Sequence, residues 1–404
     1  MIWYTIFRFG FAIIFVGLHG AMLIGLVREW LRDKRLCPGT GRPLGPAPLP
    51  TVSVIIPVHN ESLRIGGLLK SLALQDYPAA EYIFIDDRSS DESPRMLLDF
   101  AAACSSSGTK AAQVRIITLQ ENPGPNHKQY ALGRGIEIAC GEFILFTDAD
   151  CEVPRSWIFS MVARMQADPR TGIAIGPVFK RPEASPGAGL VHSTGFFHLY
   201  QCFDHAIRYL YLAGSTGLGA AGGGFGNNLI LRRAVLEAIG GYDTVPPSPT
   251  EDAALISQVR SCSAYKIRSV CGKDAHVITG RETSWKDFIN QTLRWNNGGL
   301  FSPDPITRFN FGFLMITISM GIIALPLLPF FPSLWPLSAA VLLAMTGNTI
   351  ATLSLFGSSL PKARAAYLVQ LVFTPIYFTY LTILGFCRVT VHWKGTPVRG
   401  WPRG

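Results

Sequence analysis

Charged residues are scarce in this chain, and its cysteines are not paired in sequence. Of its 404 residues, 16% are charged and 48% are hydrophobic, and the mean hydropathy is +0.27. This composition is too apolar for an ordinary soluble enzyme and too polar for a bundle made only of membrane helices. The eight cysteines contain no C-x-x-C pair, so the sequence indicates neither a zinc site nor a disulfide framework.

The sequence also lacks a recognisable nucleic-acid-binding module. Its formal net charge is +9, but the basic residues do not form a stripe interleaved with exposed aromatic residues. We therefore expect no nucleic-acid partner, and no obligate protein partner is evident. The positive charge instead suits the flanks of membrane segments and contact with anionic lipid headgroups.

Long apolar runs are present at both ends of the chain. They cover Ile2 to Val27 and, approximately, Phe311 to Phe331, Leu334 to Phe356 and Ala365 to Phe386. Each is long enough for a membrane helix, which needs ~20 residues. The first run is too long for a signal peptide, and a basic tract at residues 28–35 follows where a cleavage site would be expected. This tract predicts an integral membrane protein whose next domain is cytoplasmic.

The side of the membrane on which the C-terminal tail lies is left open by the sequence. One early span and three late spans would place this tail outside the cytoplasm. However, the tail carries Arg388, Lys394, Arg399 and Arg403, and basic residues favour the cytoplasmic side. If the tail is cytoplasmic, one late apolar segment is re-entrant or lies in the interface between the membrane and water.

The remaining sequence divides into a linker and a mixed domain. Residues 36–50 are rich in Pro and Gly and predict a short, stiff linker. The predicted domains are a membrane helix with its basic flank at 1–35, the linker at 36–50, the mixed domain at 51–300, and a membrane domain with a basic tail at 301–404.

The mixed domain alternates short apolar strands with helices. The predicted strands are Val52–Val58, Tyr82–Ile85, Val114–Leu119 and Phe143–Phe146. Such strands, separated by helices, imply a mostly parallel α/β sheet that is covered on both faces. Ligands of these sheets bind beyond the carboxyl ends of the strands.

Polar residues follow three of these strands. They are the pairs Asn60-Glu61 and Asp86-Asp87 and the triplet Asp148-Ala149-Asp150. Two carboxylates one residue apart at a strand end are suitable oxygen ligands for Mg²⁺ or Mn²⁺. Taken alone, the triplet is equally compatible with capping of a turn or helix. The interpretation as a metal site depends on the other two polar pairs, which are predicted to lie at the same carboxyl edge of the sheet.

Two later segments have apolar residues at helical spacing, from Phe196 to Leu210 and from Trp285 to Leu293. Core packing and a position on the membrane surface both fit such stripes. The abundant aromatic residues and the nearby spanning segments favour the membrane surface.

Together, five sequence elements in a fixed order resemble glycosyltransferase family 2, the membrane-bound inverting enzymes with a GT-A fold. The elements are Pro57-Val-His-Asn60-Glu61, Ile85-Asp86-Asp87 to Asp91, Asp148-Ala-Asp150, Thr250-Glu251-Asp252 and Gln291-x-x-Arg294-Trp295. The resemblance covers about Val52 to Trp295. It implies a Rossmann-like, mostly parallel sheet with transmembrane helices at both ends. The short chain looks most like ceramide, hopanoid, carotenoid or diacylglycerol glucosyltransferases.

The resemblance implies a donor site for a UDP-sugar and a divalent cation. Asp87, with Asp86, would accept hydrogen bonds from uracil or ribose, and Pro57, Asn60 and Glu61 would belong to the nucleotide site. Asp148 would face the ribose and the metal, and Asp150 would bind Mn²⁺ or Mg²⁺ directly. Lys128 lies where the family often has a lysine near the nucleotide, but a solvated lysine at a helix start fits equally well. An Asx-turn at the end of the strand is the alternative for the Asp86-Asp87 pair.

The resemblance also implies the catalytic residues. Asp252 would be the general base for the acceptor hydroxyl, and Glu251 would tune the site or bind the acceptor. Arg294 would pair with the diphosphate, while Gln291 and Trp295 would shape the mouth of the acceptor site. Without the family, the same residues could open a helix or anchor the chain at a membrane surface.

The function predicted from these elements is transfer of one sugar, glucose at the family level, from a UDP-sugar to a lipid hydroxyl at the cytoplasmic membrane face. A short processive polysaccharide synthase is the first alternative. A catalytically silent subunit that binds a nucleotide sugar is the second.

Overall fold

The computed structural model describes residues 2–36, 48–78, 80–106, 113–124, 126–181, 195–360, 366–393 and 396–398. Most of the predicted linker, and Lys394, Arg399 and Arg403 of the predicted basic tail, lie outside these residues. Contacts divide the chain into two compact units. The sheet unit is Arg28–Val178 with Gly223–Gly280, and the helical unit is Met1–Val27, Phe179–Gly222 and Arg281–Gly404. The four domain boundaries expected from the sequence remain a prediction.

The sheet unit is built on seven strands. They are β1 Val52–Val58, β2 Ala80–Asp86, β3 Gln113–Thr118, β4 Phe143–Phe146, β5 Thr171–Ile175, β7 Leu229–Arg232 and β8 Lys266–Ser269. Their order in the sheet is β3-β2-β1-β4-β7-β5-β8. All neighbours pair in parallel except β7, which is antiparallel to both β4 and β5. The predicted mostly parallel sheet is therefore confirmed, and the reversed strand β7 is an addition to it.

Strands β1, β2 and β4 form where the sequence predicts them because they are largely apolar and buried on both faces, whereas the edge strand β3 is half-buried. Val54, Ile55 and Ile56 of β1 are fully buried, as expected for a central strand with helices on both sides. The helices of this unit are α2 Ile65–Ala73, α3 Ser93–Ser106, α4 His127–Ile138, α5 Trp157–Gln166, α7 Arg233–Ala238 and α8 Glu251–Cys262. The Asn126 side chain caps α4 by accepting a hydrogen bond from the Gln129 amide at 3.1 Å.

The helical unit contains the apolar segments. Its helices are most of α1 Ile2–Leu36, then α6 Phe196–Gly217, α9 Trp285–Leu300, α10 Pro305–Leu327, α11 Trp335–Phe356 and α12 Ala366–Phe386. The short strands β6 Val178–Lys180, β9 Val277–Thr279, β10 Val391–Trp393 and β11 Thr396–Val398 complete the chain. Within the described residues, four helical stretches are long and apolar enough to cross a membrane: Arg8–Arg35, Pro305–Leu327, Pro332–Ser359 and Tyr367–Phe386. Apolar helices thus lie at both ends of the chain, as predicted.

The two amphipathic segments are α6 and α9, and their apolar stripes are largely buried. Tyr200, Phe203 and Leu210 of α6 have no exposed surface, and neither does Phe288 of α9. The first residues of the stripes, Phe196 and Trp285, are exposed, and Ile289 is half-buried. These stripes therefore pack inside the helical unit, so core packing explains the helical spacing.

Candidate active site

The candidate site begins at the carboxyl ends of β1 and β2, where the chain turns sharply. Val58 of β1 lies in register with Asp86 of β2. Beyond these positions, Asn60 and Arg88 adopt left-handed backbone conformations, with φ of 53° and 57°. Non-glycine residues rarely adopt this conformation, although Asn does so more readily than most. The Asn60 side chain holds the two turns together because its Oδ1 accepts a hydrogen bond from the Ser90 amide at 2.8 Å.

The two neighbouring aspartates after β2 have different surroundings. Asp86 is buried and its Oδ1 accepts a hydrogen bond from the Ser89 amide at 3.1 Å, one residue further along the chain than the amide that an Asx-turn would use. Asp87 accepts hydrogen bonds on both carboxylate oxygens, from Arg88 Nε at 2.8 Å and from Asn122 Nδ2 at 2.9 Å. Asp87 is therefore fixed by its neighbours before any ligand is present.

The remaining residues of the first motif contribute mainly to the local fold. Pro57 lies within β1, in register with Ile85 of β2. The Glu61 amide donates a hydrogen bond to Ser93 Oγ at 2.8 Å, and its carboxylate pairs with Arg64 at 2.8 Å. Their predicted place in the nucleotide site stays a prediction.

Lys128 connects two of the acidic motifs. Its Nζ lies 2.7 Å and 3.0 Å from the two carboxylate oxygens of Asp148, and 3.1 Å from Glu251 Oε1. The Lys128 side chain is only 18% exposed. It is therefore an internal counter-ion of the site, and the alternative of a solvated lysine at a helix start does not describe it.

Charge and burial act together on this cluster. Burial alone would lower the pKa of Lys128, but Asp148 and Glu251 outweigh burial and hold that pKa well above its ordinary value. Burial raises the pKa of Asp148; Lys128 opposes this shift, and the nearby Asp150 and Glu251 reinforce it. The carboxylates of Asp148 and Glu251 thus share one ammonium group, Asp150 adds a third negative charge nearby, and the excess negative charge favours the approach of a cation.

Asp150 offers oxygen ligands at the other end of its motif. Its Oδ2 accepts a hydrogen bond from Thr279 Oγ1 at 3.0 Å, and the Cys151 thiol lies 3.7 Å from its Oδ1. Burial, followed by Asp150 and Asp148, raises the pKa of the Cys151 thiol, so this sulfur stays protonated and is a poor ligand. The available ligands are therefore carboxylate oxygens, which fit Mg²⁺ or Mn²⁺.

The part of the chain that the structure describes contains no group of three or more His, Cys, Asp or Glu side chains arranged to hold a metal ion. Asp148 and Asp150 together supply two carboxylates. That number is typical of Mg²⁺ sites in which substrate phosphates and water complete the coordination. The residues present fit a cation that arrives with a diphosphate.

Asp252 lies in the first turn of α8, directly after Glu251. Its Oδ2 accepts a hydrogen bond from the Gly226 amide at 2.9 Å, and its Oδ1 accepts one from the Ala253 amide at 2.8 Å. A Cβ atom at Gly226 would lie only 3.2 Å from Asp252 Cβ, so a glycine suits this close approach. Glu251 and Asp252 do open a helix, which is the alternative stated for them without the family. They also contribute to the acidic cluster.

Asn228, in the Gly-rich loop before β7, is a core residue. Its Nδ2 donates hydrogen bonds to the Pro177 and Ala275 carbonyls, both at 2.8 Å. Its Oδ1 accepts one from Trp157 Nε1 at 2.9 Å. Both ends of its side-chain amide are thus used within the sheet unit.

The Gln291-x-x-Arg294-Trp295 element lies on α9, in the helical unit. Gln291 Nε2 donates a hydrogen bond to Glu282 Oε1 at 2.8 Å. The Trp295 ring contacts the His205 ring, with centroids 5.4 Å apart. Arg294 is partly exposed. Their predicted roles toward diphosphate and acceptor stay predictions.

Two site residues were not predicted from the sequence. Asn122 follows β3, and the rule that identified the polar residues after β1, β2 and β4 would also have found it. Thr279, which contacts Asp150, ends the short strand β9. No local pattern distinguishes this threonine.

The mostly parallel sheet, with an acidic cluster at its carboxyl edge, has the arrangement of the GT-A fold. Residues 53–240 match the family described as Glycosyl transferase family 2. This stretch, just under half of the chain, is therefore similar to the family 2 glycosyltransferases.

Two relatives are about a quarter identical to this chain over the stretch that aligns. A poly-beta-1,6-N-acetyl-D-glucosamine synthase of Staphylococcus epidermidis is 26% identical over 251 residues, which are 61% of this chain and 54% of the relative. A beta-monoglucosyldiacylglycerol synthase of Trichormus variabilis is 25% identical over 197 residues, 48% of this chain and 38% of the relative. The chain thus spans about half or less of the length of these two relatives.

A solved structure resembles most of the chain. The mannosyltransferase PcManGT from Pyrobaculum calidifontis, in complex with GDP-Man and Mn²⁺, superposes with a TM-score of 0.54 at 18% identity. The match covers 94% of this chain and 99% of the mannosyltransferase. At this identity the likeness shows the shared fold alone.

Proposed function

We propose that this protein is a membrane-bound inverting glycosyltransferase that moves one sugar from a UDP-sugar to a lipid hydroxyl at the cytoplasmic membrane face. The observation that carries the proposal is the cluster of Lys128, Asp148, Asp150, Glu251 and Asp252. The cluster combines a donor site that attracts a cation with the Asp252 carboxylate, which two backbone amides orient. The monoglucosyldiacylglycerol synthase among the relatives and the apolar helices support a lipid acceptor. Glucose is the sugar that the family resemblance favours.

In the proposed reaction, Asp252 acts as the general base. Backbone amides of Gly226 and Ala253 orient its carboxylate, which takes the proton as the acceptor oxygen attacks the anomeric carbon. The new C–O bond forms as the bond to the diphosphate breaks, so one displacement inverts the anomeric centre. Asp148 and Asp150 would hold Mg²⁺ or Mn²⁺, which supplies positive charge against the leaving diphosphate.

The donor side rests on Asp87 and Lys128. Asp87, fixed by Arg88 and Asn122, is suited to accept hydrogen bonds from the base or ribose. Lys128 gives the acidic edge a cation next to the proposed metal ligands, and Arg294 would pair with the diphosphate as a planar fork. Gln291 and Trp295 would shape the acceptor mouth.

A processive polysaccharide synthase is the second candidate. The poly-N-acetylglucosamine synthase among the relatives favours it. Its signature would be a product that lengthens with time, whereas single transfer stops after one sugar.

The test is a release assay with purified protein in detergent. Mn²⁺ or Mg²⁺ is supplied with UDP-glucose, UDP-galactose, UDP-N-acetylglucosamine or GDP-mannose, with and without a total membrane lipid extract. We expect lipid-dependent UDP release with one UDP-sugar and a new glycolipid by mass spectrometry. A long polymer would replace the proposal by the second candidate, and turnover only with GDP-mannose would overturn the donor assignment.

Asp252 is tested by Asp252→Asn, with the exposed Asp243→Asn in the same unit as the matched control. We expect Asp252→Asn to reduce the rate by 10²- to 10⁴-fold, roughly the usual contribution of a general base, with UDP-sugar binding retained. An unchanged rate would exclude Asp252 as the base. Retained nucleotide binding by a wild-type protein that never transfers a sugar would instead support a silent binding subunit.

A further inference from the structure

Helix α6 carries a buried ion pair in the helical unit. Arg208 Nε lies 2.7 Å from Asp204 Oδ2, and the Asp204 side chain has no exposed surface. Burying two charges is costly, and the attraction between them does not always repay that cost. A buried ion pair is thus weak evidence for stability. The other contacts of Arg208 indicate what the pair does in the helical unit.

The guanidinium of Arg208 contacts two aromatic rings. Its Cζ lies 5.4 Å from the centroid of Trp295 on α9 and 5.2 Å from that of Phe378 on α12. Trp gives the strongest cation–π attraction, especially where water is excluded. His205, next to Asp204, contacts the same Trp295 ring at an interplanar angle of 78°. The Trp295 ring is therefore held by two side chains of α6.

The same helix also reaches the start of the Gln291-x-x-Arg294-Trp295 element. Gln201 uses both ends of its amide on the Glu282 backbone, at 3.0 Å and 2.9 Å. The Glu282 carboxylate in turn accepts the hydrogen bond from Gln291 Nε2 at 2.8 Å. Residues four apart share a face of a helix, so Gln291 and Trp295 lie on one side of α9.

We infer that this polar face of α6, which consists of Gln201, Asp204, His205 and Arg208, positions Gln291 and Trp295 for the acceptor. Arg208 is the central positioning residue, because its planar group can pair with Asp204 through Nε while it contacts the Trp295 ring. A lysine has no such plane. The inference rests on the proposed function in assigning Trp295 to the acceptor mouth. It adds that the acceptor affinity depends on a residue of α6.

The main variant removes both charges together, Asp204→Asn with Arg208→Gln, so that no unpaired carboxylate stays buried. It is compared with Trp295→Ala, with the combination of all three changes, with Arg208→Lys, and with the exposed Arg308→Gln as control. Each is assayed with UDP-glucose and a total membrane lipid extract. A second readout uses protein labelled with 5-fluorotryptophan, in which the ¹⁹F resonance of Trp295 is identified by its loss in Trp295→Phe.

The Arg208 interaction is expected to contribute about a 5- to 30-fold change in the apparent KM for lipid, from the usual strength of a desolvated cation–π contact. The KM for UDP-glucose should stay within about twofold, because the sheet unit is untouched. Once Trp295 is alanine, the charge-removing changes should have no further effect on the lipid KM. Arg208→Lys should restore only part of the affinity, and the Trp295 resonance should shift in the main variant. General loss of structure would raise both KM values and would not depend on Trp295.

The outcomes separate this inference from the proposed function. If Trp295→Ala weakens lipid use but the main variant does not, the role of Arg208 is refuted and the proposed function stands. If Trp295→Ala leaves lipid use unchanged, the acceptor role of Trp295 fails, and the inference fails with it. If no sugar is transferred at all, the ¹⁹F readout decides: an unshifted Trp295 resonance in the main variant refutes the positioning.

Discussion

Lys128→Met removes the ammonium group that the carboxylates of Asp148 and Glu251 share. In the structure, Lys128 Nζ lies 2.7 Å from Asp148 and 3.1 Å from Glu251. Removing one partner of a fully buried pair costs roughly 3–5 kcal/mol. Because the Asp148 side chain is 29% exposed, water compensates part of this loss. We expect a destabilisation of about 2–3 kcal/mol.

Thermal unfolding in detergent measures this destabilisation, and a second series with Mn²⁺ tests whether a bound cation compensates for it. At ~2–4 °C per kcal/mol for a domain of this size, the melting temperature of the metal-free variant should fall by about 4–12 °C. Mn²⁺ should raise the melting temperature of Lys128→Met more than that of the wild type, because the cation replaces the missing ammonium. Lys266→Met, which removes a more exposed partner of Asp168, is the control and should change little. Equal melting temperatures, or equal Mn²⁺ shifts, would refute the proposed charge balance.

Three further substitutions test other parts of the sheet unit. Asn122→Ala should release one oxygen of Asp87 and weaken UDP binding about tenfold, measured by calorimetry, from the value of a hydrogen bond to a charged group; unchanged affinity would exclude a role for this contact. Burial lowers the pKa of His276 to about 4, so the unfolded state takes up protons first as the pH falls below its ordinary 6.5. The protein should lose about 2 kcal/mol from this group by pH 5, and His276→Gln should remove that part of the acid sensitivity in denaturant titrations. Glu29→Gln should cost roughly 3–5 kcal/mol by breaking the buried pair with Arg164, and a melting temperature equal to that of the wild type would contradict this.

The sequence predicts the first half of the sheet well because its signals are local. Four apolar strands, each followed by a helix, are sufficient to indicate parallel pairing and a common carboxyl edge. The same reasoning places Asp87 and Asp148 at one edge from the order of the residues alone. It could have included Asn122, which follows β3 in the same way.

Other features depend on contacts between distant parts of the chain. Nothing in Leu229–Arg232 itself indicates that β7 runs antiparallel between β4 and β5. The bridge from Lys128 to Glu251 joins residues far apart in sequence, so the sequence alone could not distinguish this lysine from a solvated one. The stripe on α6 shows the same limit, because helical spacing does not distinguish a protein neighbour from a membrane.

The interleaving of the two units along the chain has a consequence for synthesis and for fragment design. The sheet unit needs Gly223–Gly280 to complete its sheet, and α6 is made before that segment emerges from the ribosome. Neither unit can therefore be excised as one continuous fragment. A shortened chain that ends after β4 would expose the edge at which β7 pairs, and unpaired edges favour aggregation.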